Sequence, residues 1–104
     1  MTKHDLQTYR DTEQELRNLK RVESMVSQLD ENTAKVLADT KQRLADQLQR
    51  IEAAIASLDP TERDILRLRY IAGESWTKIS RAVHYSRSRT FDIHNEALRK
   101  LADK

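Results

Sequence analysis

Apolar residues recur along the first part of the chain at Leu6, Tyr9, Leu16, Leu19, Val22, Val26 and Leu29, mostly three or four apart. That is the period of a helix with one buried face. Thr2 offers a hydroxyl to cap its start, with Asp5 three residues on. A second run sets Leu37, Leu44, Ile51 and Leu58 seven apart, with Leu48 and Ile55 filling in. Such a run is a coiled-coil seam. Between the two, Asp30-Glu31-Asn32-Thr33 holds good capping residues but neither Gly nor Pro, and the stripe continues through Val36, Thr40 and Leu44. One uninterrupted helix would be about 80 Å long. An antiparallel hairpin buries both stripes in one chain and is the favoured arrangement; a single long helix paired with another chain is the alternative.

Leu58-Asp59-Pro60-Thr61-Glu62 marks the strongest boundary. Asp59 caps, Pro60 fills the first helical position, where its missing N–H costs nothing, and Glu62 completes a capping box. A third helix is expected from Pro60 to about Ala72, with Ile65, Leu68 and Ile71 on one face and Gly73 as a left-handed cap. Ser75 caps a short fourth helix to about Val83, and His84-Tyr85 is the turn. Ser86 caps a fifth helix to about Ala102, with Thr90, Ile93, Ala97 and Leu101 inward. The expected fold is all-α: a coiled-coil helical arm over residues 1–58, for oligomerisation or partner binding, then a three-helix helix-turn-helix domain over 59–104 with caps and a core of its own.

Composition narrows the function. Gly and Pro occur once each, in keeping with an almost all-helical chain, and with 38% apolar and 35% charged residues the core must be thin. No cysteine is present, which excludes disulfides and thiolate metal sites, and nothing marks the chain as secreted. Met1 to Arg10 lacks the apolar run of a signal peptide, and no segment approaches the roughly 20 apolar residues that span a bilayer. The expected location is the cytoplasm of a bacterium or a phage-infected host, with no membrane partner. His4, His84 and His94 are scattered, and there is no HExxH, Gly-rich phosphate loop or nucleophile elbow. Neither a metal, a cofactor nor a catalytic site is expected, and the chain does not read as an enzyme. Charge is uneven: 9 Lys/Arg against 10 Asp/Glu up to Leu58, then 10 against 7, so the basic excess falls on the helix-turn-helix half.

The candidate chemistry lies at the start of the fifth helix. In a helix-turn-helix the N-terminal end of the second helix approaches base edges. Ser86, Arg87, Ser88 and Arg89 stand there, and two arginines at the positive end of a helix dipole cost helix stability unless an anion answers them. Lys78 and Arg81, on the helix that crosses the DNA backbone, are expected at phosphates, although a solubilising role is the plain alternative. Arg99 and Lys100 suit the negative end of the dipole instead. Trp76 is expected in the core against Ile71, Ile79 and Leu98. Phe91 is expected to pack inward, the alternative being a thymine methyl. Tyr85 is expected to pack at its base and offer its hydroxyl to a phosphate.

Residues from about Asp59 to Leu101 resemble region 4 of bacterial sigma factors. The likeness runs through Leu58-Asp-Pro-Thr-Glu-Arg-Asp-Ile-Leu, Arg69-Tyr-Ile-Ala-Gly-Glu-Ser-Trp-Thr-Lys-Ile, Tyr85-Ser-Arg-Ser-Arg and Ala97-Leu-Arg-Lys-Leu. Within that superfamily the chain is most similar to the small phage late-gene transcription activators of the ArpU/RinA type, on its Arg-Tyr, Ser-Trp-x-x-Ile and Tyr-Ser-Arg-Ser elements. The resemblance implies a DNA-binding transcription regulator. It sets Arg87 and Arg89 at the basic positions of the recognition helix and Phe91-Asp92 where an Arg-Gln pair is usual. The full candidate DNA-contact set is Lys78, Arg81, Tyr85, Ser86, Arg87, Ser88, Arg89 and Asp92. Residues 1–58 lack a sigma region for core polymerase, which argues against a self-sufficient sigma factor. Double-stranded DNA and a second copy bound through the N-terminal helices are the implied partners, and RNA polymerase stays open. Two other readings stand beside this one: a DNA-packaging accessory of small-terminase kind, and a coiled-coil interaction module that never touches DNA.

Overall fold

The computed structural model describes residues 1–26 and 28–103, and every regular element among them is helical. Helix α1 (Lys3–Gln7) starts in a capping box: the Thr2 N–H donates to Asp5 Oδ2 at 2.9 Å and the Asp5 N–H to Thr2 Oγ1 at 3.4 Å. After a one-residue turn at Thr8, α2 runs Tyr9–Met25. Helix α3 (Glu31–Ala56) begins where Asp30 accepts the Thr33 N–H at 2.6 Å.

The two long helices form an antiparallel hairpin. The Tyr9 hydroxyl, at the start of α2, donates to Glu52 Oε1 near the end of α3 at 2.6 Å, while Glu23 near the end of α2 pairs with Lys41 nearer the start of α3. Leu44, Ile51, Ile55 and Leu58 are buried along α3 and just beyond it, facing Leu6, Tyr9 and Leu16. The seam is therefore largely consumed inside the chain. The stripe of α2 surfaces instead at its far end, where Val22 is 53% and Val26 41% exposed.

Helix α4 (Pro60–Leu66) starts as the sequence dictates, with the Asp59 N–H donating to Glu62 Oε1 at 3.2 Å. Its continuation differs from the expected single α-helix. Arg67–Ile71 is a π-helical turn, closed by the Ala72 N–H on the Arg67 carbonyl at 2.9 Å. The wider turn rotates the buried face by about one residue. Ile65, Leu66 and Tyr70 are buried, and Leu68 and Ile71 only half so, in place of the expected Ile65, Leu68, Ile71 row. Gly73 then takes the left-handed conformation at φ +73°, and a Cβ there would run into the Arg10 guanidinium. That close approach ties α2 to the loop before α5.

Helices α5 (Trp76–Val83) and α6 (Arg87–Ala102) have the expected bounds. Ser75 caps α5, accepting the Lys78 N–H at 3.2 Å, and His84 turns the chain at φ 63°. The expectation that residues from Asp59 onward hold a core of their own is corrected. Leu6 of α1, Tyr9 of α2, and Ile51 and Ile55 of α3 share one continuous cluster with Leu66, Tyr70, Ala97 and Leu101. The physical reason is size: the helices after Asp59 are too few and short to cover Leu66 and Tyr70, and the base of the hairpin does so. Lys100 adds a polar clamp, donating to Glu62 Oε1 at 2.9 Å and Asp59 Oδ2 at 3.3 Å. The molecule measures 54 × 28 × 19 Å.

Candidate nucleic-acid interface

Helix α6 is amphipathic in a way that fixes which side faces out. Thr90, His94, Ala97 and Leu101 are buried, so Ser88, Asp92, Asn95 and Arg99 point away from the protein. The start of the helix is held by Ser86, whose hydroxyl accepts the Arg89 N–H at 3.0 Å and whose carbonyl accepts the Thr90 hydroxyl at 2.8 Å. Ser86 is thus a cap first, and its hydroxyl lone pair is partly spent. Arg87, Ser88 and Arg89 are exposed in the first turn, which contains no acidic residue. Neither arginine makes an ion pair with any described residue. Two uncompensated guanidinium groups at the positive end of a helix dipole are an anion-seeking arrangement.

The remaining sequence-derived candidates fall into three groups. Tyr85, Arg89 and Asp92 meet along one hollow of about 550 Å³ between α6 and the start of α4. Arg87, Ser88 and Asp92 meet along another, of about 490 Å³, which is floored by Trp76 and Phe91. Lys78 and Arg81 line neither hollow. Both are exposed on α5, Lys78 in a loose 3.7 Å pair with Glu74 and Arg81 without an ion-pair partner among the described residues. Arg99 and Lys100 are engaged within the protein, Arg99 with Glu96 and Lys100 with Glu62 and Asp59.

Behind this face lies a cluster the sequence did not disclose. His94 is 1% exposed, and its Nε2 is 2.6 Å from the Tyr70 hydroxyl. Trp76 meets the His94 ring edge-on at 4.7 Å, and Arg69 lies over Trp76 at 4.6 Å while donating to the Glu74 carbonyl at 3.0 Å. Trp76 is half-buried among these groups, not sunk in an aliphatic core. The π-helical turn presents Tyr70 to His94 and Arg69 to Trp76, so it indirectly sets the pose of α6. Phe91 departs from its expected inward packing: it is 44% exposed, with its ring edge against Trp76 at 5.2 Å. The signal available in the sequence was spacing, since His94 falls four after Thr90 and three before Ala97, on the buried side.

Two short helices joined by a left-handed turn, the second opening onto solvent with free arginines, define a DNA-binding helix-turn-helix. The family model for sigma-70, region 4 matches residues 54–103, and this part of the chain is a sigma region 4-like helix-turn-helix. The match begins in the last turn of α3, in keeping with the core shared across Asp59. No curated protein and no solved structure matches the chain significantly. No helix among the described residues is long and apolar enough to cross a membrane.

If Lys78 and Arg81 meet phosphates, replacing either with Ala weakens binding equally on all sequences and makes the salt slope shallower by about one unit. Titrations at several salt concentrations measure this, and an altered sequence preference would instead move the residue to the base-reading set.

Proposed function

We propose that this protein is a sequence-specific, duplex-DNA-binding transcription regulator of the phage late-gene activator type, and that α6 reads the major groove. The observation that carries the reading is the pair Arg87 and Arg89, exposed in the first turn of α6 and without an ion-pair partner among the described residues. An arginine there is able to give two parallel hydrogen bonds to guanine O6 and N7. Ser88 lies between them and Asp92 about one turn on, and an exposed carboxylate is suited to accept from a cytosine amino group. Tyr85 lines the same hollow as Arg89, which supports a phosphate contact from its hydroxyl.

Site selection from random duplexes, followed by titration of the selected site, tests the proposal. Arg87→Ala and Arg89→Ala each weaken binding by about 1–3 kcal/mol and relax the preference at one base pair. Unchanged affinity in both folded variants would mean that α6 is not the reader.

The arm is proposed to join two copies. Val22, Met25, Val26 and Val36 are exposed at the hairpin tip, and Met25 reaches 78%. Lys20 and Arg21 lie on the α2 side of this patch, and Asp30 and Glu31 at the start of α3. A two-fold axis sets each basic pair against the acidic pair of the other copy, as a self-complementary interface requires. Light scattering is expected to give a dimer for the wild type and a monomer for the Met25→Glu, Val36→Glu variant, with the helical signal retained. A ring of eight or more chains would favour the packaging reading instead.

A further inference from the structure

Among the described residues, large apolar side chains are exposed in two places: the hairpin tip, and Tyr85 with Phe91 on the α5–α6 face. Phe91 is the more informative of the second pair. It stands one helical turn after Arg87, on the half of α6 that opens to solvent, and it lines the same hollow as Arg87, Ser88 and Asp92. Its ring is not loose. Trp76 meets it edge-to-face at 5.2 Å and 73°, and the His94 ring lies 5.4 Å behind at a tilt of 32°. With 44% of the residue still exposed, one edge of a braced aromatic ring is presented outward between cationic and polar neighbours. A phenylalanine held in this way has little rotamer freedom left to lose on contact. What its exposed edge lacks, among the described residues, is an apolar partner.

The major-groove edges of the four base pairs are polar except at one group, the C5-methyl of thymine. We infer that Phe91 is a specificity-determining residue that packs its exposed ring edge on a thymine methyl in the major groove, with Trp76 as the positioning residue behind it. This rests on the reading of α6 as the recognition helix and adds to it the base that the helix demands one turn in from Arg87. The flanking charges make nucleic acid the occupant: Arg87 and Arg89 draw in the polyanion, and only then does the ring meet a methyl group.

The test is a uracil scan. Each thymine of the selected duplex is replaced in turn by uracil, which removes one methyl and leaves base pairing and every hydrogen-bonding group in place. For the wild type, one thymine in each half-site shows about a fourfold loss of affinity on this change, as expected for one methyl taken out of contact. Phe91→Ala binds the thymine and uracil duplexes alike at that position, while keeping its dependence on Arg87 and Arg89. Uniform tolerance of uracil by the wild type would overturn the inference, and so would sensitivity that persists in Phe91→Ala. Either result leaves the reading of α6 standing if Arg87→Ala and Arg89→Ala still lose affinity; if those variants bind normally, that reading fails first. Should Phe91→Ala not fold, the scan on the wild type still decides, because a methyl-independent site has no place for the ring.

Discussion

Leu6→Ala will destabilise the helix-turn-helix, although its core partners Leu66 to Leu101 lie 60 to 95 residues further along the sequence, by about 2–5 kcal/mol. Leu6 is fully buried in the cluster that contains Leu66, Tyr70, Ala97 and Leu101. Removing three carbons there leaves a cavity that packed helices cannot fully close, and the cost is the lost transfer energy plus the void. Trp76 reports on the outcome directly, because it is the only tryptophan and packs against His94 of α6. Urea unfolding followed by Trp76 fluorescence and by circular dichroism should give one coincident transition, shifted by the same amount in the variant. A Trp76 midpoint unchanged from the wild type would show that the helix-turn-helix stands without the arm, and the shared core would lose its meaning.

Local structure was legible because it rests on local chemistry. Asp30, Asp59, Ser75 and Ser86 each precede a helix, and each stands at an N-cap in the structure, since a short acceptor side chain best satisfies the free N–H groups of a first turn. The hairpin was likewise readable, because two long apolar stripes in one chain have each other as nearest partner. What was hidden depends on register between distant segments. The π-helical turn at Arg67–Ile71 has no signature in residue type, and it carries Tyr70 into the core shared with Leu6, Tyr9 and Ile55. His94 looked like one of three scattered histidines because its environment comes from Tyr70, 24 residues earlier, and from Trp76. In the candidate interface, Arg87, Ser88 and Arg89 lie where the cap at Ser86 put them. Phe91 is at 100° to the buried side of the helix, where a wheel alone cannot choose between packing and exposure.

Lowering the pH from 8 to 5 will destabilise the protein by about 2 kcal/mol through His94 alone, rising to about 3 kcal/mol near pH 4. The hydrogen bonds fix one neutral tautomer. Asn95 Oδ1, 3.2 Å from Nδ1, accepts a proton held there, so Nε2 is left as the acceptor for the Tyr70 hydroxyl at 2.6 Å. Protonation of Nε2 would turn this acceptor into a second donor facing Tyr70, in a pocket closed by Trp76 and Phe91. Burial lowers the His94 pKa from 6.5 to about 4, against the opposing hydrogen bond to Asn95 and with lesser help from the charges of Lys3 and Arg69. The unfolded chain takes up its proton near pH 6.5 and the folded chain resists until about 4, so this contribution is complete above pH 6.5 and is lost as the pH falls toward 4. Asp5 and Asp30, held below the usual carboxylate range by backbone hydrogen bonds at their caps, weaken the fold only at lower pH. The window from pH 6.5 to 5 therefore isolates the histidine. His94→Gln offers an uncharged acceptor to Tyr70 and should flatten the slope of stability against pH in that window. Urea midpoints at half-unit pH steps measure it, and a slope that survives in His94→Gln would place the titrating group elsewhere. Because His94 backs Phe91 and Trp76, the same acid range should loosen the first two turns of α6 and weaken DNA binding with it.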